Sequence, residues 1–177
     1  GPYWEANMEL IDLIPEFNLY EEFWKIYTNS SILPPQYISD QAVVERSIIS
    51  NGSEIYGEVR NSVIGAGVVI GKGTVVRDSI IMKDTVIGEN GVIDKSIIAE
   101  NVRIGDHVTL GIGSDVPNKE KPAIYSFGLV TIGENSVIPS NVQSGKNTAI
   151  SGVTEAEDYP NGVLESGETL IKAGERV

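Results

Sequence analysis

The sequence predicts an all-β solenoid, a parallel β-helix built from hexapeptide repeats. Three features carry that reading. An aliphatic residue returns about every six positions, a larger period of 17 residues lies over the first, and the corners between repeats hold residues that tolerate positive φ. An α-helix needs a period near 3.6 and a half-exposed strand a period of 2, and neither fits.

The aliphatic series starts at Ile38 and runs through Val44, Ile49, Ile55, Ile64, Ile70, Val76, Ile81, Ile87, Ile93, Ile98 and Ile104 to Leu110. It resumes at Ile132 and Ile138, then Ile150. The tripeptides starting at Ser62, Ser79 and Ser96 are 17 residues apart, with a degenerate copy at Ser47. Three short faces per coil, one of them a residue short, give that period. Three places after the aliphatic residue stand Gln41, Gly52, Gly67, Gly73, Asp84, Asn90, Asn101, His107, Asn135 and Asn141. Apart from Gln41 these are the residue types that best accept positive φ, so a tight corner is expected at each. The position after the corner holds small or β-branched residues such as Ser53, Val68, Thr74, Thr85, Val102 and Val108, which suit a narrow interior. About six coils stacked at the strand spacing of about 4.8 Å are expected, with two open ends to cover.

The segments outside the repeats read differently. Gly1-Pro2 reads as a tag scar, and residues 3–37 as a helical or extended linker and cap. Within that cap, Trp4, Met8 and Ile11 have helical spacing, and Phe17, Phe23 and Trp24 add an aromatic cluster before Pro34-Pro35 forces an extended entry. The β-helix is placed at 38–155. The 22 residues from Leu110 to Ile132 read as one coil plus four, with a protruding loop at 115–121. Residues 156–177 read as a hairpin around Ser166-Gly167 followed by a tail. Ser144 stands where the ladder expects an aliphatic side chain.

Composition narrows the function. Zero cysteines exclude disulfides, thiol nucleophiles and thiolate-bound zinc, and fit a cytoplasmic protein. A net charge of −12 argues against a nucleic-acid partner, since phosphate binding needs clustered Lys and Arg. No apolar run is long enough to cross a membrane. His107 is the only histidine, so a three-histidine zinc site is excluded. Because His107 falls in the corner series, its expected role is structural. Glu155 and Asp158 lack ligand spacing and read as a solvated loop.

The hexapeptide pattern resembles the left-handed β-helix family, and the handedness comes from that resemblance. A narrower likeness rests on Tyr3-Trp4-Glu5-Ala6-Asn7, on Pro34-Pro35, on the stretch from Phe23 to Thr28, and on Ser126-Phe127-Gly128 through Gly133. These resemble bacterial glucose-1-phosphate adenylyltransferase, the ADP-glucose pyrophosphorylase of glycogen and starch synthesis, over nearly the whole chain. The resemblance implies an oligomerising and allosteric β-helix domain. It also implies that the catalytic domain lies before Tyr3, with its phosphate loop, sugar-phosphate lysine and Mg²⁺-binding aspartate. ATP and Mg²⁺ therefore belong to that domain. This chain is expected to hold no catalytic, cofactor or metal residue and to be inactive alone.

The partners so implied are further copies of the chain, the parent's catalytic domain and a small anionic effector. Plant-type members carry effector-binding lysines where Glu100 and Glu134 stand here, which argues against a plant-like phosphoglycerate site. The basic candidates that remain are Arg46, Arg60, Lys72, Arg77, Lys83 and Arg103, each weighed against an ordinary solvated or paired surface charge. Two alternatives stay open: a hexapeptide acyltransferase with His107 as base, and the β-helix of another sugar-nucleotide pyrophosphorylase.

Overall fold

The computed structural model describes residues 33–125 and 127–172. The expected helical cap with its aromatic cluster, the tag scar and the tail at 174–177 lie outside those residues.

The chain winds as a left-handed β-helix. The first coil carries β1 (Tyr37–Ile38), β2 (Val43–Glu45) and β3 (Ile48–Ile49). The second carries β4 (Glu54–Ile55), β5 (Glu58–Arg60) and β6 (Val63–Ile64). The third carries β7 (Val69–Ile70), β8 (Val75–Arg77) and β9 (Ile80–Ile81). In the fourth stand β10 (Val86–Ile87), β11 (Val92–Asp94) and β12 (Ser96–Ile98). In the fifth stand β13 (Arg103–Ile104), β14 (Thr109–Leu110) and β15 (Val130–Ile132). The sixth has β16 (Val137–Ile138), β17 (Gln143–Ser144) and β18 (Thr148–Ser151), and a last, incomplete coil has β19 (Val163–Leu164) and β20 (Thr169–Ile171). The first strands of successive coils form a 6-stranded parallel sheet, and the second and third strands form two 7-stranded parallel sheets.

Register makes the core. On the first sheet Ile55, Ile70, Ile87 and Ile104 stack directly over one another. Val59, Val76, Ile93 and Leu110 do so on the second, and Ile64, Ile81, Ile98 and Ile132 on the third. All of these are buried in one continuous cluster. The post-corner residues fill the space between ladders, as expected: Ser53, Val68, Thr74, Thr85, Val102 and Val108 are wholly buried. Their hydroxyls are satisfied along the stack. Thr85 Oγ1 donates to the Ala99 carbonyl at 2.8 Å and receives the Val102 N–H at 3.1 Å. The third sheet is also aliphatic one residue before its core ladder, and Ile48, Val63, Ile80 and Ile97 are buried there too.

The corners expected at Gly52, Gly67, Gly73, Asp84, Asn90, Asn101, His107, Asn135 and Asn141 all have positive φ. A second series was not anticipated. Arg46, Asn61, Asp78 and Lys95, between the second and third sheets, also sit at positive φ. This is the short face, five residues from Val76 to Ile81 against six from Ile70 to Val76. Each of these residues precedes a serine, and the serines stabilise the corner. Ser62 Oγ donates to the Arg60 carbonyl at 2.7 Å and receives the Ser79 N–H at 3.1 Å. Ser79 repeats the pattern toward Ser96.

Three expectations need correcting. The 22-residue gap is not a coil plus four, because Ile132 pairs with Ile98 in the adjacent coil. It is the usual five-residue corner from the second to the third sheet plus a 17-residue insertion, carried by residues 111–129. Secondly, Val163–Leu164 and Thr169–Ile171 do not form a hairpin. They join different sheets, each parallel to the coil before it, so the solenoid runs on past residue 155. The Ser166-Gly167 turn has the residue types of a hairpin turn, but the apolar pattern around it belongs to the coil period. Thirdly, the stack reaches seven coils instead of about six. Within the last coil, Tyr159 is 2% exposed and shares a 2.7 Å hydrogen bond with Thr154, while burial raises its phenol pKa.

Candidate functional site

One coil breaks the spacing. Between the first and second sheets the ladder residues are six apart, as from Ile70 to Val76, yet Ile55 and Val59 are four apart. The second coil therefore lacks two corner residues, and its chain cuts straight across. Gly57 makes the shortcut: a Cβ there would lie 2.2 Å from the Thr74 carbonyl oxygen, so only glycine passes so close to the coil below. The missing corner leaves a notch of about 560 Å³ between the first and third coils. Its walls are Gln41 on one side, Lys72, Gly73 and Asn90 on the other, with Tyr56 and Glu58 at the back and Glu89 at the rim. Sequence reasoning missed this site. The signal was present in the four-residue step, which the six-residue series hides by passing from Ile55 to Ile64.

Polar contacts organise the surroundings. Tyr56 donates its hydroxyl to Glu54 Oε1 at 2.8 Å, which raises the phenol pKa, and its ring lies 5.7 Å from that of Tyr37. Glu58 is held by Arg60, which also pairs with Glu45. The hydrogen bond that Arg60 donates to Glu58 is the largest effect holding its guanidinium above its ordinary pKa. Lys72 makes no ion pair or side-chain hydrogen bond among the described residues.

The other basic candidates are scattered. Arg60 and Arg77 stack in register between Glu45 and Asp94, and Arg77 reaches Asp94 at 3.3 Å. Arg46 occupies a strained corner of the first coil. Lys83 lies 3.9 Å from Glu100, and Arg103 donates to the Asp84 carbonyl at 2.6 Å. Glu100 and Glu134 precede the stacked corners of Asn101 and Asn135, whose side chains are joined at 2.8 Å. No basic cluster arises from these residues, and Lys72 alone lines the notch.

His107 is exposed at a corner with φ 55°, its backbone N–H bonded to the Glu89 carbonyl. That is the structural role its position in the repeat predicts. The 115–121 loop is anchored, not free. Asn118 is 1% exposed, donates to the Asn147 carbonyl at 2.9 Å, and receives the N–H groups of Glu120 and Lys121. Asn147 in turn donates to Asp115 and Val116. A second cleft of about 370 Å³ lies between the start of this insertion and the last coils, lined by Ile112, Val116, Ser144 and Leu164. Glu155 and Asp158 hold Lys172, with the Asp158 contact at 2.8 Å.

Residues 33–132 match the family model described as GlmU-like, C-terminal hexapeptide. The chain belongs to that family. Its curated relatives are more specific. It is 68% identical over 173 residues to a glucose-1-phosphate adenylyltransferase of Lachnospira eligens, covering 98% of this chain and 41% of the relative. A glucose-1-phosphate adenylyltransferase of Acetivibrio thermocellus is 46% identical with the same coverage, and that of Thermotoga neapolitana is 54% identical over 96% of this chain and 40% of its own. The resemblance read from the sequence is thus shown. The chain spans about two fifths of the length of these relatives. Among solved structures, a hexapeptide transferase family protein from Anaplasma phagocytophilum aligns at a TM-score of 0.46 and 13% identity, covering 77% of this chain and 74% of that one. No helix among the described residues is long and apolar enough to cross a membrane.

Proposed function

We propose that this chain is the assembling and effector-sensing β-helix of a glucose-1-phosphate adenylyltransferase, an enzyme that makes ADP-glucose from ATP and glucose 1-phosphate. The observation that carries the reading is the 68% identity across 98% of the chain to a relative of that name, of which it covers 41%. In this reading ATP, Mg²⁺ and the sugar phosphate bind the remainder of the enzyme, in a cytoplasmic setting. The β-helix supplies rigid faces. Stacked coils bonded only to their neighbours present long flat sheets suited to contact with another subunit or with a catalytic domain.

The test has two arms. Light scattering across a concentration series is expected to give a dimer or tetramer, while a concentration-independent monomer overturns the assembling role. With ATP, glucose 1-phosphate and Mg²⁺, the chain alone is expected to release no pyrophosphate above background. Measurable release places the catalytic groups here and overturns the division of labour. The effector role is read by fusing this chain to the catalytic part of a relative and titrating phosphorylated metabolites. Loss of effector response when the chain is deleted supports it, and an unchanged response refutes it.

A further inference from the structure

Elsewhere along the same edge of the solenoid the corners bond to one another through their backbones. Asn90 N–H donates to the Lys72 carbonyl at 3.0 Å, His107 N–H to the Glu89 carbonyl at 2.9 Å, and Asn141 N–H to the Asp106 carbonyl at 2.9 Å. The shortened second coil interrupts this column. Among the described residues the Gly73 N–H has no backbone or side-chain acceptor and the Asp40 carbonyl receives no donor. The two groups face a gap one coil deep, two strand spacings or roughly 9.6 Å from corner to corner. In a complete coil a single peptide unit would fill it, its carbonyl accepting from Gly73 and its N–H donating to Asp40.

We propose that this notch is a docking site for an acidic peptide loop of a partner polypeptide, whose backbone amide takes the place of the missing corner. Three features select that occupant. The unpaired groups are one donor and one acceptor in the order a peptide unit matches, which an inorganic anion does not. Lys72, without an ion pair among the described residues, stands beside the donor and favours a carboxylate next to the docked amide. Glu89 and Glu58 also line the site, so a bare anion meets opposing charge, whereas a peptide can place its N–H side toward them.

The experiment is an amide NMR titration of the ¹⁵N-labelled chain with N-acetyl-aspartyl-glycine N-methylamide. The Gly73 and Gln41 amides are expected to shift together along one saturable curve. Lys72→Gln is expected to weaken that binding about two- to fivefold, the range of an exposed ion pair. Inserting Asn-Gly between Tyr56 and Gly57 restores the six-residue step and is expected to abolish the response while leaving the circular dichroism spectrum unchanged. Absence of a localised shift overturns the proposal. So does an equal shift with sodium acetate, which would mark an adventitious ion only, or a response that survives in the folded insertion variant.

Discussion

Ser79 Oγ receives the backbone N–H of Ser96 at 3.0 Å, and in the same corner donates to the Arg77 carbonyl at 2.8 Å. One buried hydroxyl therefore satisfies a donor in the next coil and an acceptor in its own. It does so where Asp78 is bent to φ 50° and the strand ends. Ser79→Ala leaves the Ser96 N–H unpaired inside the wall, while the Arg77 carbonyl keeps the Lys95 N–H at 3.2 Å, at a cost of about 1–3 kcal/mol. Urea denaturation is expected to show that loss. A variant within experimental error of the parent would mean that water reaches the corner and replaces the hydroxyl.

Ser144 tests the ladder at its weakest rung. It is 1% exposed, pairs in register with Leu110 on one side and Leu164 on the other, and shares a 2.8 Å hydrogen bond with Thr148. Thr148 keeps a second acceptor, the Gly145 carbonyl at 3.0 Å, so removing the serine hydroxyl does not orphan it. Ser144→Ile is expected to add about 1 kcal/mol, the burial of its added carbons less the hydroxyl pair and some crowding. The melting temperature should rise. A fall would show that this level of the interior is already full.

The period made the fold legible because each coil is dictated locally. A core aliphatic, a positive-φ corner and a small post-corner residue recur whatever lies elsewhere, so Asn101 and Asn135 could be placed before their contact was seen. Departures from the period were harder to read. The insertion was miscounted because 22 residues divide almost as well into a coil plus four as into a corner plus 17. Only the pairing of Ile132 with Ile98 separates the two. The notch was hidden because a two-residue deletion leaves the composition untouched. Ion pairs such as Arg77 with Asp94 depend on stacking register, which spacing alone implies but does not rank against solvent.

Thr131 carries a buried hydroxyl with no hydrogen-bond partner among the described residues, on the outward side of the ladder between Ile97 and Ala149. Burying a hydroxyl unpaired costs about 1–3 kcal/mol, and valine has nearly the same shape. Thr131→Val is expected to raise stability by roughly 1 kcal/mol in denaturant titration. A destabilised variant would show that the hydroxyl has a partner in solution, such as a bound water.

The ion pair between Lys172 and Asp158 ties the end of β20 to the turn before β19. The Lys172 hydrogen bond, and next the Glu155 backbone N–H, hold the Asp158 carboxyl below its ordinary pKa. A depressed acid stabilises the fold above its unfolded pKa, about 3.9, and that contribution is lost as pH falls through the lower folded value. Lys172 is shifted upward, chiefly by the same bond, so its share persists until pH rises past the lysine range. Lys172→Met is therefore expected to lower the melting temperature at neutral pH, with the difference from the parent shrinking as the solution is acidified below the carboxylate range. A constant difference across that window would assign the effect to lost packing of the lysine stem.

Asn118 fastens the insertion to the solenoid. Its amide nitrogen reaches the Asn147 carbonyl at 2.9 Å and Thr169 at 3.1 Å, two neighbouring coils, and its oxygen receives the N–H groups of Glu120 and Lys121 at 3.0 and 2.9 Å. Lys119 adds a backbone bond to the Gly167 carbonyl and an ion pair to Glu168. Asn118→Ala removes the amide and leaves buried partners unsatisfied, at about 1–3 kcal/mol of local stability. If cleavage follows the population of the opened loop, trypsin should cut after Lys119 about five- to a hundredfold faster, the Lys121 bond being protected by Pro122. The global melt should move far less, because the aliphatic ladders are untouched. Unchanged proteolysis would show that the insertion is held by its apolar contacts, Leu129 against Met82 and Ile97, more than by the buried asparagine.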